Sequence, residues 1–223
     1  MSNISFSVID RDIVRRNLNK YTRKAFQMLS ALDKPKILDI GCGTGVPTME
    51  LGRLTDGQIM GIDINPELLE KLKGKIAKAG QADQIKTVQC SLMELNFEEE
   101  SFDIIWSEGS IWVIGFEKGL KEWKRFLKPN GFLVVHDEAK EFEKKLKLIS
   151  NYDYQLIGHF QLDEDVWRSE YYEPLERIVN EKLIEYKNDN KALQVLDKEQ
   201  QEIRSFKKDS RQFTSAFFIM QKR

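Results

Sequence analysis

From Val8 to Leu32 apolar residues recur at mostly helical spacing: Ile13, Val14, Leu18, Tyr21, Ala25, Met28, Leu29 and Leu32. Arg15, Arg16, Lys20, Arg23 and Lys24 fall between them, which predicts one or two amphipathic helices. The period then changes. Ile37-Leu38-Asp39-Ile40 is a short apolar run carrying one acid, and Gly41-Cys42-Gly43-Thr44-Gly45 breaks it. An apolar-periodic stretch follows from Val46 to Leu54, so the pattern predicts a buried strand, a tight turn and a helix start. Ile59 to Asp63 reads as a second strand, and Glu67 to Ala79 as a helix stopped by Gly80. Ile85 to Cys90 is a short third strand and Phe102 to Trp106 a fourth. Gly115 to Leu127 is a helix, Lys128-Pro129-Asn130-Gly131 a turn signal, and Phe132 to His136 a fifth strand. Strands alternating with helices imply an α/β fold, a parallel sheet with helices on both faces. Ligands of such sheets gather at the carboxyl ends of the strands.

Composition narrows the class. The 223 residues suit one domain, with room for an appended subdomain. Charged residues make up 32%, yet the net charge is only −1, so no strong field draws in nucleic acid or an anionic membrane. No apolar run approaches the roughly 20 residues of a membrane span, and Met1-Ser2-Asn3-Ile4 does not read as a signal peptide. Cys42 and Cys90 are far apart and form no zinc or C-x-x-C pattern, which fits a reducing cytoplasm. No metal-ligating cluster stands out.

The glycine turn admits three nucleotide-site readings. A P-loop needs a Lys-Ser/Thr pair after its last glycine, and Val46-Pro47-Thr48 supplies none. A dinucleotide fingerprint from Gly41 needs a small residue where Val46 stands, which disfavours a nicotinamide-dependent reductase. The third is a G-x-G-x-G turn lying close against a ligand. Asp63 follows Gly41 by 63 − 41 = 22 residues, the separation at which an acid in a βαβ unit meets a ribose.

Four landmarks in order carry a resemblance: Ile37 to Gly45, Gly61 to Asp63, Phe102-Asp103-Ile104-Ile105, and Leu127-Lys128-Pro129-Asn130-Gly131-Phe132-Leu133. Residues 36 to about 137 resemble the core of the class I S-adenosylmethionine (SAM)-dependent methyltransferases, of the small-molecule, type 11 or UbiE-like kind. The resemblance implies a Rossmann-like sheet of seven strands in the order 3-2-1-4-5-7-6, strand seven antiparallel. Tyr154 to Phe160 would be strand six and Phe213 to Gln221 strand seven. It implies SAM as cofactor and a small-molecule methyl acceptor as the partner. Asp39 would face the methionine ammonium, the backbone of Gly41, Gly43 and Gly45 would line that end, and Asp63, followed by Ile64, would hold the ribose. After strand three the family usually places Asp and then an apolar residue against adenine. Here Ser91-Leu92 stands instead. Ser91 could still bond the adenine amine while Leu92 packs on the ring.

Methyl transfer from a sulfonium is an in-line displacement, in which alignment supplies much of the acceleration. Trp106 and Trp112 flank the loop where the methyl should point, and aromatic faces favour a cation. Glu108 is the first candidate general base and His136, beside Asp137, the second. Tyr21 merits attention because N-terminal helices often cover the cofactor in this family.

This reading gives a helical cap over 1–34 and a methyltransferase domain over 35–223. Residues 161–212 form a long insertion between the last two strands, expected to be helical and to act as a lid or a dimer surface. Trp167, Tyr171 and Tyr172 lie in its otherwise charged first part, and Trp167 and Tyr171 are expected to bound the acceptor pocket with Trp112. A homodimer is compatible with the same segment. An alternative from another class is a catalytically silent SAM-binding protein acting through partners.

Overall fold

The computed structural model describes residues 8–223. The strands are β1 (Lys36–Ile40), β2 (Gln58–Asp63), β3 (Ile85–Gln89), β4 (Phe102–Glu108), β5 (Leu127–Glu138), β6 (Tyr154–Leu162) and β7 (Ser215–Lys222). The α-helices are α1 (Asp12–Arg15), α2 (Asn19–Gln27), α3 (Val46–Leu54), α4 (Pro66–Ala79), α5 (Phe116–Trp123), α6 (Phe142–Asn151), α7 (Glu164–Trp167), α8 (Glu173–Glu185) and α9 (Asn190–Lys208). They divide into two compact units.

The first unit holds Asn19–Gln161 and Ser215–Arg223, and contains the sheet. Strand order is 3-2-1-4-5-7-6, as the resemblance implied. β1 pairs in parallel with β2 and β4, β4 with β5, and β7 runs antiparallel to β5. Central strands have apolar residues on both faces, so Leu38, Ile40, Ile105, Leu133 and Phe218 are fully enclosed. Local signals set the helix ends. The Asn65 side chain accepts the Glu67 N–H at 2.9 Å, Pro66 opens α4, and Gly80 at φ +67° closes it.

The turn expected at Lys128–Gly131 is instead an irregular part of β5. Phe102 lies opposite Leu127, but Ile104 lies opposite Phe132, so the extra residues bulge out of the ladder around Asn130 at φ +62°. The turn chemistry was real; it re-registers a strand rather than ending one.

The second unit comprises the described residues up to Leu18 together with Leu162–Thr214. Its core joins Val8, Ile9 and Val14 to Tyr171, Tyr172, Leu175, Val179, Leu196 and Phe206. Arg11 donates to Glu199 from Nη2 at 2.6 Å and to the Tyr171 hydroxyl from Nη1 at 3.1 Å. The boundary thus falls inside the segment read as a single cap. Residues before the 3₁₀ turn Arg16–Leu18 pack with the insertion, whereas α2 packs on α3 in the sheet unit. Asn19 and Arg23 of α2 both donate to Glu50 of α3, at 3.1 and 2.6 Å, and this clamp decides which unit α2 joins.

Candidate active site

The turn leaving β1 stands at the carboxyl edge of the sheet. Gly41, Gly43 and Gly45 all have left-handed φ, +73°, +54° and +80°, a region that side chains with a Cβ occupy at a cost. Their surroundings differ. A Cβ on Gly41 would overlap Ser110, and one on Gly45 would overlap Leu72 of α4. A Cβ on Gly43 would meet nothing within 4 Å. Two of the glycines are therefore required by the protein's own packing. The third opens onto space that a ligand can approach closely.

Asp63 closes β2 and ties the turn down. Its Oδ2 accepts the Gly43 N–H at 2.9 Å and its Oδ1 the Asn65 N–H at 2.8 Å. Ile64, beside it, is 67% exposed, an unusual state for a large aliphatic residue in this unit. Ser91 and Leu92 are half-buried, and the Ser91 hydroxyl accepts the Met93 N–H at 3.2 Å, an ST turn.

Asp39 is enclosed, and Thr48 of α3 donates to its Oδ2 at 2.5 Å. Burial pushes its pKa up to about 7; the Thr48 hydrogen bond opposes this, and the charges of Glu108 and Asp63 add to it. The charges of Asp63 and Glu108, at the ends of β2 and β4, thus both act on Asp39 near the end of β1. That arrangement favours a cation.

Glu108 ends β4 with its Oε1 accepting two hydrogen bonds: from the Thr22 hydroxyl of α2 at 2.9 Å, and from Trp106 Nε1 at 2.8 Å. Trp106 has no exposed surface. Its ring is tilted against Phe26, with centroids 6.4 Å apart. Its indole N–H serves the site through Glu108. Trp112 is 65% exposed and donates Nε1 to the Gly109 carbonyl at 3.0 Å. His136 lies opposite Glu108 in the β4–β5 register. It is buried, stacks on Phe217 at 4.2 Å with rings 2° from parallel, and its Nε2 lies 2.7 Å from the Ser215 hydroxyl.

Asp39, the glycines, Asp63, Ile64, Glu108 and Trp112 therefore belong to the sheet unit's carboxyl edge. Trp167 and Tyr171 belong to the helical unit. Tyr171 is 4% exposed there, with its hydroxyl on Arg11, and Trp167 is half-buried with its ring edge-on to Tyr171 at 5.5 Å.

Several supporting residues have no signature in the sequence. Thr22 holds Glu108, Thr48 holds Asp39, and Ser110 fills the space that Gly41 leaves, its hydroxyl on the Ile40 carbonyl at 2.6 Å. Tyr21, the α2 residue singled out by pattern, packs at 6.4 Å from Phe160. Its neighbour Thr22 faces the carboxylate. Only the helical phase of α2 relative to α3 could have separated the two.

Comparison with known proteins points the same way. Residues 38–135 match the model of a methyltransferase domain. Methyltransferase GfsG of Streptomyces halstedii is 29% identical over 119 residues, 53% of this chain and 43% of that protein. Sterol 24-C-methyltransferase ERG6B of Gibberella zeae is 32% identical over 103 residues, 46% of this chain and 27% of that protein. The chain thus spans less than half the length of these relatives. Among solved structures, a SAM-dependent methyltransferase of Geobacter sulfurreducens, in complex with S-adenosyl-L-homocysteine, superposes with a TM-score of 0.74 at 16% identity. That match covers 98% of this chain and 95% of the other.

Proposed function

We propose that this chain, whose residues 38–135 are a class I SAM-dependent methyltransferase domain, transfers the methyl group of SAM to a small-molecule acceptor. The observation that carries the reading is the pairing of open space over Gly43 with carboxylates Asp39, Asp63 and Glu108 at the same sheet edge. The residues fit the cofactor: a close backbone approach for its methionine end, an acid for its ribose, and negative charge for its ammonium and sulfonium.

When bound, SAM supplies an electrophilic methyl on a positively charged sulfur. The protein's work is placement. Gly41, Gly43 and Gly45 keep the backbone low, so that N–H groups at the start of α3 can meet the cofactor's carboxylate. Asp63 is assigned the ribose hydroxyls, with Ile64 and Leu92 against the adenine and Ser91 at its edge. Asp39 is assigned the ammonium, acting together with the Thr48 hydroxyl that orients it. Glu108 is assigned the proton of an acceptor that must lose one. His136 is second choice for that role, because its ring is already stacked and its Nε2 engaged with Ser215. Trp112, exposed beside Gly109, is assigned to the acceptor side.

Free thiols at Cys42 and Cys90 suit a reducing cytoplasm. Among the described residues no helix is long and apolar enough to cross a membrane. The helical unit is proposed to serve acceptor selection or self-association.

The test is calorimetric titration with SAM and separately with NAD, followed by incubation of the protein with methyl-labelled SAM and a metabolite extract. SAM binding and a labelled metabolite are expected. NAD binding in place of SAM would overturn the assignment. Tight SAM binding with no label transferred to any fraction would favour the silent cofactor-binding alternative.

A further inference from the structure

We propose that Ser110 is a positioning residue: its hydroxyl couples the glycine turn after β1 to the loop that presents Trp112, so that an occupant of one is felt by the other.

The proposal rests on the SAM reading, which puts the cofactor against the turn and the acceptor beside Trp112. Ser110 stands where turn and loop meet. Its Oγ lies 2.6 Å from the Ile40 carbonyl and 2.7 Å from the Ser107 Oγ. A carbonyl only accepts, so the one hydroxyl proton of Ser110 goes to Ile40, and Ser107 must be the donor in the second bond. The result is a directed chain from Ser107 on β4, through Ser110, to the end of β1. Ser107 has no exposed surface and Ser110 is 8% exposed, so both bonds are shielded from water. Hydrogen bonds in such a chain strengthen one another where the dielectric is low.

The Ile40 carbonyl belongs to the first peptide of the glycine turn. The N–H of the same peptide, that of Gly41, donates to the Ile62 carbonyl of β2 at 2.8 Å. The peptide is thus gripped by β2 on one side and by Ser110 on the other. The Gly41 backbone also packs on Ser110, since a Cβ built there would lie 2.4 Å from the Ser110 Cβ. This contact sets the distance between turn and loop; the hydroxyl bond sets their orientation.

On its other side Ser110 anchors the loop. The Ser110 carbonyl accepts the Val113 N–H at 3.1 Å, and the Gly109 N–H donates to the His136 carbonyl at 2.9 Å. Trp112 is 65% exposed, yet its Nε1 donates to the Gly109 carbonyl at 3.0 Å, which ties the ring to the residue beside Ser110. A ligand that orders the turn therefore restrains Trp112. An acceptor against Trp112 tightens the turn by the same factor, because coupling between two sites is reciprocal. In-line transfer needs both reactants held in alignment, and this chain sets one side of the site against the other.

The test uses the full chain with SAM and a collisional quencher, acrylamide. Trp106 and Trp123 are buried, so in a Trp167→Phe background Trp112 is the indole open to the quencher. SAM at saturation, set by calorimetry, should protect Trp112. Ser110→Ala keeps the Cβ against Gly41 and removes only the hydroxyl. It should still bind SAM, weakened by less than about tenfold, the upper weight of one neutral hydrogen bond, while the protection is lost. Ile149→Val, a core substitution in α6, should lower the melting temperature and keep the protection. Protection that persists in Ser110→Ala overturns the proposal, since SAM would then shield Trp112 directly. Loss of protection in Ile149→Val overturns it too, because general loosening would suffice. If Ser110→Ala does not fold or does not bind SAM, Ser107→Ala carries the test. It leaves the Ile40 bond in place but unassisted; partial loss of protection supports the coupling and full protection overturns it. A wild-type Ser110 protein that binds SAM without protecting Trp112 also overturns the proposal, whereas one that binds no SAM overturns the cofactor reading instead.

Discussion

Asp63 Oδ2 accepts the backbone N–H of Gly43 at 2.9 Å, so the acid that ends β2 is fastened to the turn that leaves β1. The residue assigned to the ribose and the residue left open for close approach are one hydrogen-bonded unit. Asp63→Ala removes the acceptor for two backbone N–H groups as well as the ribose contact. It should weaken SAM by about 1.5–3 kcal/mol and leave the fold intact. Asp63→Asn keeps an oxygen for one of the N–H donors and should recover part of the turn's order. Calorimetry and a thermal melt on both variants give the answer; unchanged SAM affinity in the Ala variant removes Asp63 from the site.

The three glycines should separate by experiment. Gly41→Ala and Gly45→Ala force a Cβ into Ser110 and Leu72, so both should lower the melting temperature. Gly43→Val has no such neighbour. It carries only the conformational penalty of a branched residue at φ +54°, roughly 1–2 kcal/mol, and should fold. Its SAM binding should be lost, because the branched side chain fills the approach. A Gly43→Val protein that binds SAM normally would make this glycine another structural turn.

Asp39 gives a pH dependence with a definite sign. Its carboxyl sits at about 7 in the folded protein against 3.8 in the free side chain, chiefly through burial. Ionising it in the ligand-free fold therefore costs energy, and stability should fall as pH rises from about 4 to about 7, flattening above. A cation at the site favours the ionised form. SAM should bind more tightly as pH rises through 7 and should release a proton near neutrality. Titrations in two buffers of different ionisation enthalpy measure that proton. In Asp39→Asn the proton release should vanish; if it persists unchanged, another group is titrating.

The helical unit separates structural from functional aromatics. Tyr171→Phe removes the hydroxyl that accepts from Arg11 and should cost about 1 kcal/mol of stability. It should leave SAM affinity alone. Trp167→Ala should do the same for SAM while lowering transfer to an acceptor found by label. Sedimentation of this variant checks the rival in which its ring packs a dimer. A dissociated protein with normal turnover per folded site would assign Trp167 to that interface.

The sheet was legible because each strand carries its own punctuation: Pro35 and the glycines around β1, Asp63-Ile64-Asn65-Pro66 after β2, Asn130-Gly131 within β5. Residues that act through backbone or carboxylate at a strand end, such as Gly43 and Asp63, were legible for the same reason. Thr22, Thr48 and Ser110 were not. A hydroxyl's role depends on which way a helix is rotated against its neighbour, and one threonine looks like another in a pattern of apolar and polar positions. The division at Leu18 was hidden by the continuity of the amphipathic period through Arg16–Leu18, with no glycine or proline to mark the break. Tyr171 and Tyr172 looked like a surface anomaly because they lie among charges in sequence. Their partners Val8, Ile9 and Val14 come from more than 150 positions away.

β7 lies between β5 and β6, yet the chain reaches it only after the whole helical segment that follows β6. Until Ser215–Gln221 zips against Phe132–Glu138, β5 lacks a partner along one side and β6, the edge strand of the finished sheet, lacks one along both. An unsatisfied strand edge invites pairing with other chains. The time for which that slot stays open is set by closure of the intervening loop, and a segment that collapses around its own core shortens the search. The helical unit would thus act as a folding clasp as well as whatever it does for the acceptor: changes that melt α8 or α9 should slow completion of a sheet they do not belong to, and their mark would be aggregation during refolding rather than a weaker native site.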